Sequence, residues 1–512
     1  MSTEAVKTVS MSVQDALWLT MDRPNNLMVV DGAMVLRGQP SLEAVQNVFA
    51  EAVKRFPVLA RKPVKAGMGW AWQDDPHFDP ATNVENLILD EPMDMRGLQD
   101  FLAKIRAEPL DKGRPLWRGY LLSPVVLADG STGSAIVSRF HHSIADGVRL
   151  TQVLLGLCES EELAVGARVA RKGTKRTDES VGGDGAANVA INAAEGATSL
   201  VGHGLSGLVS ETAHAARHPL HALADVPRRS VAAARAGMHV VEGGIDRIRH
   251  PDRVLDALEV LGVENHRSTN DLSSVTKLTL TGSEPTVWTG HPGTVKAVAW
   301  SAPIPLDSIK SVGKAAGATV NDVLLAAVAG GLRQYLNERD AAIDEVVWMV
   351  PVNLKPFEDN LPPDLGNYFA LVFLPMPLSL GDARDRLTQM HHRMQRIKNS
   401  DEAVLTFGLQ RIVSMSPKQI AFFLTNFFAN KAIGVLTNVP GPSGPMTFAG
   451  VTVEQVVGFA PCSGDQPMTA TIFSYNGGVT VGFASDAGLV SAPEELVDYV
   501  ISDLAAMGVA TG

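Results

Sequence analysis

The residues best suited to chemistry are two adjacent histidines and an aspartate, in the stretch His141-His142-Ser143-Ile144-Ala145-Asp146-Gly147. A histidine titrates near neutrality and can take a proton from a hydroxyl or a thiol. Adjacent residues on an extended segment point to opposite faces, so His141 and His142 cannot both face one site. This argues against a two-histidine metal site, which wants a helical i, i+4 pair or a wider separation. It leaves one histidine for a cleft and one for a structural role. Asp146 can brace the loop, and Gly147 can free the turn or let the backbone approach closely. The plainer alternative is a buried pair satisfied by backbone hydrogen bonds, and for a His-His pair standing alone it is the default.

The elements around this stretch place it on a loop. Gly133 to Phe140 reads as a strand of β-branched and small residues. Val148 to Cys158 reads as a helix, with Leu150, Leu154 and Leu157 at helical spacing. Loops held by rigid elements often carry reactive groups. Upstream, Ser12 caps a short helix over Val13 to Leu19 with Asp15 in its first turn, and Met28 to Leu36 is a strand. Ser41 caps a helix to Arg55 whose apolar face includes Val45, Phe49 and Ala52, and Phe56-Pro57 ends it. Gly119 to Leu127 is a further strand.

A chain of 512 residues suggests two domains. Hydrophobic residues at 45% and charged residues at 19% exclude wholesale disorder. A net charge of −11 argues against nucleic acid as a main partner. Two cysteines, Cys158 and Cys462, are too few for a disulfide framework and suit a reducing cytoplasm. Met1 to Met11 lacks a signal-peptide core, and no apolar run is long enough to span a bilayer. The expectation is a soluble protein, or one attached at most to the surface of a membrane or lipid inclusion.

Residues 165–185 read as a polar surface linker. The stretch from Ala186 to about Glu242, with Arg217, Arg228, Arg229 and Arg235 among alanines, reads as a helical crossover in preference to a lipid-resting surface. Beyond it, Thr294 to Trp300 is a strand and Pro305 to Ala316 a helix. Thr319 caps a long helix to Leu336, and capping explains Asp322 without invoking function. Glu345 to Val352 is a strand, Asp382 to Lys398 an amphipathic helix, and Gln419 to Ala429 a phenylalanine-rich one. Ala432 to Val439, Val451 to Phe459, Met468 to Tyr475 and Val479 to Ala484 are strands of the second half, closed by a helix from Pro493.

Several stretches, in this order, resemble the wax ester synthase/diacylglycerol acyltransferase family. They are the opening DALWLTMDRPNNLMVVDG, Pro115-Leu116-Trp117, His141 to Gly147 as HHxxxDG, Asn321-Asp322 opening a helix, Pro351 to Lys355, Gly366-Asn367, and Asn438-Val439-Pro440-Gly441-Pro442. Asn353 and Lys355 depart from the serine and arginine often found in the family, and lysine lacks the bidentate fork. The resemblance implies an α/β fold of two chloramphenicol-acetyltransferase-like domains, each a mixed sheet flanked by helices, with a channel between them. The domains would span 1–160 and 291–512, joined by 161–290. It implies acyl transfer from a fatty acyl-CoA, a substrate, to a diacylglycerol or long-chain alcohol, with no cofactor and no metal. His142 would be the general base, being the histidine of the HxxxDG subset shared with the wider superfamily. By the same resemblance Asn321 and Asp322 lie near the reaction centre or hold its geometry, with His141, Asp146 and Gly147 grouped with His142 at the site; Asn321 would donate to the oxyanion or cap its helix, evenly weighed, and for Asp322 the structural role is favoured. Pro115, Leu116, Trp117, Asn438 and Pro440 would shape the channel or its walls. The same motifs leave room for a condensation-type enzyme with a carrier-bound acyl donor, and for a non-catalytic lipid-droplet protein.

Overall fold

The computed structural model describes residues 7–67, 69–160, 284–353, 361–367, 369–398, 406, 410, 413 and 418–511. The linker and crossover expected within 161–283, and Lys355, lie outside the described residues. In chain order the first half holds β1 (Thr8–Ser10), α1 (Val13–Met21), β2 (Val29–Leu36), α2 (Leu42–Arg55), β3 (Arg61–Ala66), β4 (Gly69–Asp74), β5 (Val84–Met93), α3 (Met95–Arg106), β6 (Trp117–Val126), β7 (Thr132–His141) and α4 (Gly147–Gly156). The second half holds β8 (Lys296–Trp300), β9 (Ile304–Pro305), α5 (Leu306–Ala316), α6 (Val320–Asn337), β10 (Glu345–Asn353), β11 (Phe369–Pro377), α7 (Ala383–Lys398) and α8 (Lys418–Ala429). It continues through β12 (Gly434–Pro440), β13 (Thr447–Phe448), β14 (Val451–Phe459), β15 (Met468–Tyr475), β16 (Gly478–Asp486) and α9 (Pro493–Ala506).

The helices begin where their caps dictate. Ser12 Oγ accepts the Asp15 amide at the start of α1, and Ser41 Oγ accepts the Ala44 amide at the start of α2. Thr319 and Asp322 form a reciprocal capping box on α6, each side chain accepting the other's backbone N–H. The spacing in α6 predicts one apolar face, yet the helix is buried nearly all round. Its Gly330 and Gly331 lie where a Cβ would collide with Asp503 and Val500 of α9, so the two helices pack closely. A helix that is apolar on every side is a core helix, and α6 is the centre of the second half.

Two mixed sheets carry the fold. The first runs β13-β14-β2-β7-β6-β5, with β5 and β6 parallel. The second runs β11-β10-β12-β15-β16-β8, with β10, β12 and β15 parallel and β9 also on β16. A small sheet β1-β4-β3 stands apart. One expectation is corrected here. Val451–Phe459 does not complete the sheet of its own half; it pairs antiparallel with β2 and extends the first sheet. Alternating apolar residues suit a strand with both faces covered but do not name its partner. One face of β14 gives Val453 and Val456 to the core beneath α2 and α4, and the other gives Val457 and Phe459 to the core against α3.

Helix α3 sits between the sheets, packing on β8 as well as on the first sheet, and Gln99 donates to the Trp300 carbonyl at 3.2 Å. The second sheet buries one face under α6, α7 and α9. Its other face carries a small apolar cluster, Val347, Met349, Ala432 and Val435.

Candidate active site

His141 ends β7, and the chain leaves the sheet through His142. The backbone still pairs: the His141 amide donates to Leu116 O and the His142 amide to Met28 O, at 3.0 and 2.7 Å. The two rings part, as extended backbone requires. His141 is 1% exposed, and its Nδ1 lies 2.8 Å from Ser143 Oγ and accepts the Ser143 amide at 3.1 Å. With Nδ1 accepting, the proton belongs on Nε2, which faces Asp22 Oδ2 at 3.8 Å. Burial lowers the His141 imidazole below the usual histidine range, outweighing Asp22. Burial alone would raise the Asp22 carboxyl, but His141, the Met28 amide and Lys112 hold it well below the usual carboxylate range. These contacts hold the His141 ring against Ser143 and Asp22.

His142 is held differently. Its ring stacks on Trp18 of α1 with centroids 4.1 Å apart, and Phe369 lies tilted at 5.6 Å. Its carbonyl accepts from Asn367 Nδ2 at 3.0 Å, and the same amide donates to Asp15 Oδ1 at 2.7 Å. Burial raises the Asp15 carboxyl against these hydrogen bonds. The residue before the clamp, Gly366, has φ +66° and accepts the Asp146 amide at 3.4 Å. Only glycine adopts that backbone without strain, so Gly366-Asn367 forms a turn that grips the histidine loop from the second half. Burial, reinforced by His141, pushes the His142 imidazole down to about 4. Its Nδ1 is buried without a hydrogen-bond partner. The ring is thus neutral at physiological pH, the form a general base needs.

Asp146 is 2% exposed and caps α4, its Oδ1 accepting the Arg149 amide at 2.9 Å. It braces the loop through a helix cap. Gly147 begins α4, has no positive φ, and a Cβ there would meet nothing within 4 Å. Its expected service to the turn or to close backbone approach is not what the backbone uses. The space beside it is the cleft itself.

That cleft spans about 640 Å³, part of it open to solvent. Trp18, Met28, Val30, His142 and Asp146 to Val148 line it from the first half, and Met349, Pro351, Phe369, Leu371, Val435 and Ala460 to Pro461 from the second. The N-terminus of α4 brings the positive end of its dipole to this wall.

The other expected site residues lie elsewhere. Asn321 does not line the cleft; its Oδ1 accepts from Asn438 Nδ2 at 2.7 Å. The asparagines meet each other across α6 and β12 and do not line the cleft in which His142 stands. Asp322 caps α6, and its Oδ2 also lies 2.8 Å from His391 Nδ1. Leu116 and Trp117 are fully buried in the first core; Trp117 stacks on Phe49 and donates to Leu59 O, while Pro115 O accepts the Trp117 amide. They support the histidine strand from behind and do not line the cleft. Pro440 is exposed at the end of β12. Burial raises the thiols of Cys158 and Cys462 to about 12 and about 11, so neither is a ready thiolate. Among the described residues no cluster of three His, Cys, Asp or Glu side chains could hold a metal ion.

Sequence reasoning assigned no role to Trp18, Asp15, Asn367 or Phe369. Trp18 and Asp15 stand in the opening segment and Asn367 in the Gly-Asn pair, both quoted for resemblance. No spacing in the chain announces that residues 15 and 367 share a hydrogen bond.

The chain is similar to known proteins in sequence and in fold. Residues 11–249 match the wax ester synthase/diacylglycerol acyltransferase catalytic domain, and residues 365–508 match the C-terminal domain of the same family. The probable diacylglycerol O-acyltransferase tgs1 of Mycobacterium tuberculosis is 23% identical over 486 residues, covering 93% of this chain and 90% of that protein. The wax ester synthase/diacylglycerol acyltransferase from Marinobacter aquaeolei VT8 superposes with TM-score 0.61 at 18% identity, over 98% of both chains. The first condensation domain of the calcium-dependent antibiotic synthetase superposes with TM-score 0.53 at 13% identity, covering 100% of this chain and 98% of that one. The fold is that of two chloramphenicol-acetyltransferase-like halves. With both domain models matched and a buried HHxxxDG histidine in the cleft between the sheets, the chain belongs to the wax ester synthase/diacylglycerol acyltransferase family.

Proposed function

We propose that this acyltransferase moves a fatty acyl group from a CoA thioester to the hydroxyl of a diacylglycerol or a long-chain alcohol, with His142 as general base. The observation that carries this reading is a buried imidazole standing in an apolar cleft lined by both halves. His142 takes the proton of the acceptor hydroxyl as its oxygen attacks the thioester carbonyl. The positive end of α4, at Gly147 and Val148, steadies the oxyanion in place of Asn321. The protonated imidazole returns the proton to the departing thiolate. The C–O bond of the ester replaces the C–S bond, and no acyl-enzyme or cofactor enters.

The apolar acceptor would reach the cleft at the surface of a membrane or lipid inclusion. Among the described residues no single helix is long and apolar enough to cross a membrane.

The test is thiol release from palmitoyl-CoA with diacylglycerol, hexadecanol or neither, with lipid products resolved by chromatography. Acceptor-dependent release is expected. His142→Ala should fold and lose about 10²–10⁴-fold in turnover, as removal of a general base does. His141→Ala should retain more. Equal, full activity in both variants, or no release with either acceptor, overturns the reading.

A further inference from the structure

A second space opens beside the cleft. It spans about 450 Å³, part of it open to solvent, between α4 and the face of the first sheet made by β2, β7 and β14. Val30 lines both spaces, and α4 runs past both, with Gly147 and Val148 on the cleft and Leu150, Thr151, Leu154 and Leu155 on the second space. It therefore continues from the wall on which His142 stands.

The sheet pairing explains why room is left there. Gly458 of β14 sits opposite Gly32 of β2, and Gly32 sits opposite Ser138 of β7. Two residues along the same face, Val456, Met34 and Ile136 fill the core beneath the helices. Three small residues side by side leave a slot under α4. A Cβ on Gly458 would meet only Asp31 O, at 3.7 Å, so a larger side chain there would project into the slot.

The walls indicate what the slot takes. Met34, Phe140, Leu150, Leu154 and Phe473 are apolar. The Asp31 carboxylate is bound by Arg106 and Arg139, and Thr151 spends its hydroxyl on Gly147 O. A polar ligand would lose its hydration here with little in return, whereas a hydrocarbon would gain.

We propose that this space holds the alkyl tail of the substrate whose reacting group lies at His142, and that Gly458 sets how long a tail fits. This rests on the acyl-transfer reading above.

The test uses Gly458→Leu, which fills the slot, and Leu154→Ala, which widens it. Each folded variant is assayed with octanoyl-, dodecanoyl- and palmitoyl-CoA on one acceptor, and with hexanol, dodecanol and hexadecanol on one donor. Gly458→Leu should lose about tenfold or more in kcat/KM for the longest chain while the shortest stays within about threefold, since each methylene denied burial costs several-fold. Leu154→Ala should shift the preference toward longer chains, and it decides the matter alone if Gly458→Leu does not fold. A shift in the CoA series assigns the slot to the donor tail, and a shift in the alcohol series to the acceptor tail; either supports the site. Unchanged profiles in both series overturn it. Thermal unfolding with octanoate or palmitate separates this site from the reaction. Palmitate should raise the wild-type Tm and leave that of Gly458→Leu unmoved. That result without any turnover would sink the acyl-transfer reading and keep the site, whereas turnover with unchanged chain-length profiles and equal palmitate binding by both proteins would sink the site alone.

Discussion

His142 has its ring and its carbonyl held by separate parts of the chain. The ring rests on Trp18, and the carbonyl is held by Asn367 from the other half. Burial lowers the imidazole to about 4, against about 6.5 for an unfolded histidine. Above about pH 6.5 both folded and unfolded chains carry the neutral ring, and its contribution to stability is complete. As pH falls from there toward 4, only the unfolded chain takes the proton, and stability drops by up to about 3 kcal/mol. The same shift governs activity. The acid limb of kcat/KM should lie near pH 4 to 5 in the native enzyme, and Trp18→Ala, by admitting water to the ring, should move it toward 6.5. A wild-type limb already at 6.5 would mean that His142 is solvated during turnover. The opposed directions of the two histidines were legible because strand geometry dictates them. Their partners were not, because ring stacking and the Asp15–Asn367–His142 chain join residues distant in sequence.

Helix α6 shows the same division at the scale of elements. Its start was legible, since Thr319 and Asp322 stand three apart before an apolar run. Its surroundings were not, and a helix expected to bury one stripe is covered on all sides by packing with α7 and α9. Asp322→Ala should cost about 1 kcal/mol of stability through the lost cap, read by urea unfolding. Turnover per folded molecule should stay within about twofold, because the carboxylate caps the helix and meets His391 away from the cleft. A hundredfold loss of turnover at unchanged stability would return Asp322 to the chemistry. The spacing gave no sign of β5 or of α3. Strand β5 lies at the sheet edge and is largely exposed, so it carries no sustained apolar alternation. Helix α3 is defined by the two sheets it separates, which no local pattern encodes.

For the whole molecule, Arg106 joins the halves as α3 does. It donates to Asp31 Oδ2 and to Ala460 O, each at 2.6 Å, and Ala460 lines the cleft. Arg106→Met should destabilise by about 3 kcal/mol, since removing one partner leaves a buried carboxylate with less compensation. Urea unfolding should show this as a lower midpoint, and a change below about 0.5 kcal/mol would mean Arg139 suffices for Asp31. The division into two halves was legible from length and motif order, whereas the exchange of β14 was not. That exchange bears on how the protein is made. Strand β2 lies inside the finished sheet between β7 and β14, yet β14 is synthesised roughly 400 residues after it. At about 5–20 residues per second, the ribosome leaves the β2 edge without its neighbour for about 20–80 s. During that interval Val29–Leu36 is an open, apolar edge able to pair with other nascent chains. Reaching the native state in the cell therefore depends on shielding this edge until the late strand emerges, and a polypeptide ending before Val451 would aggregate through it.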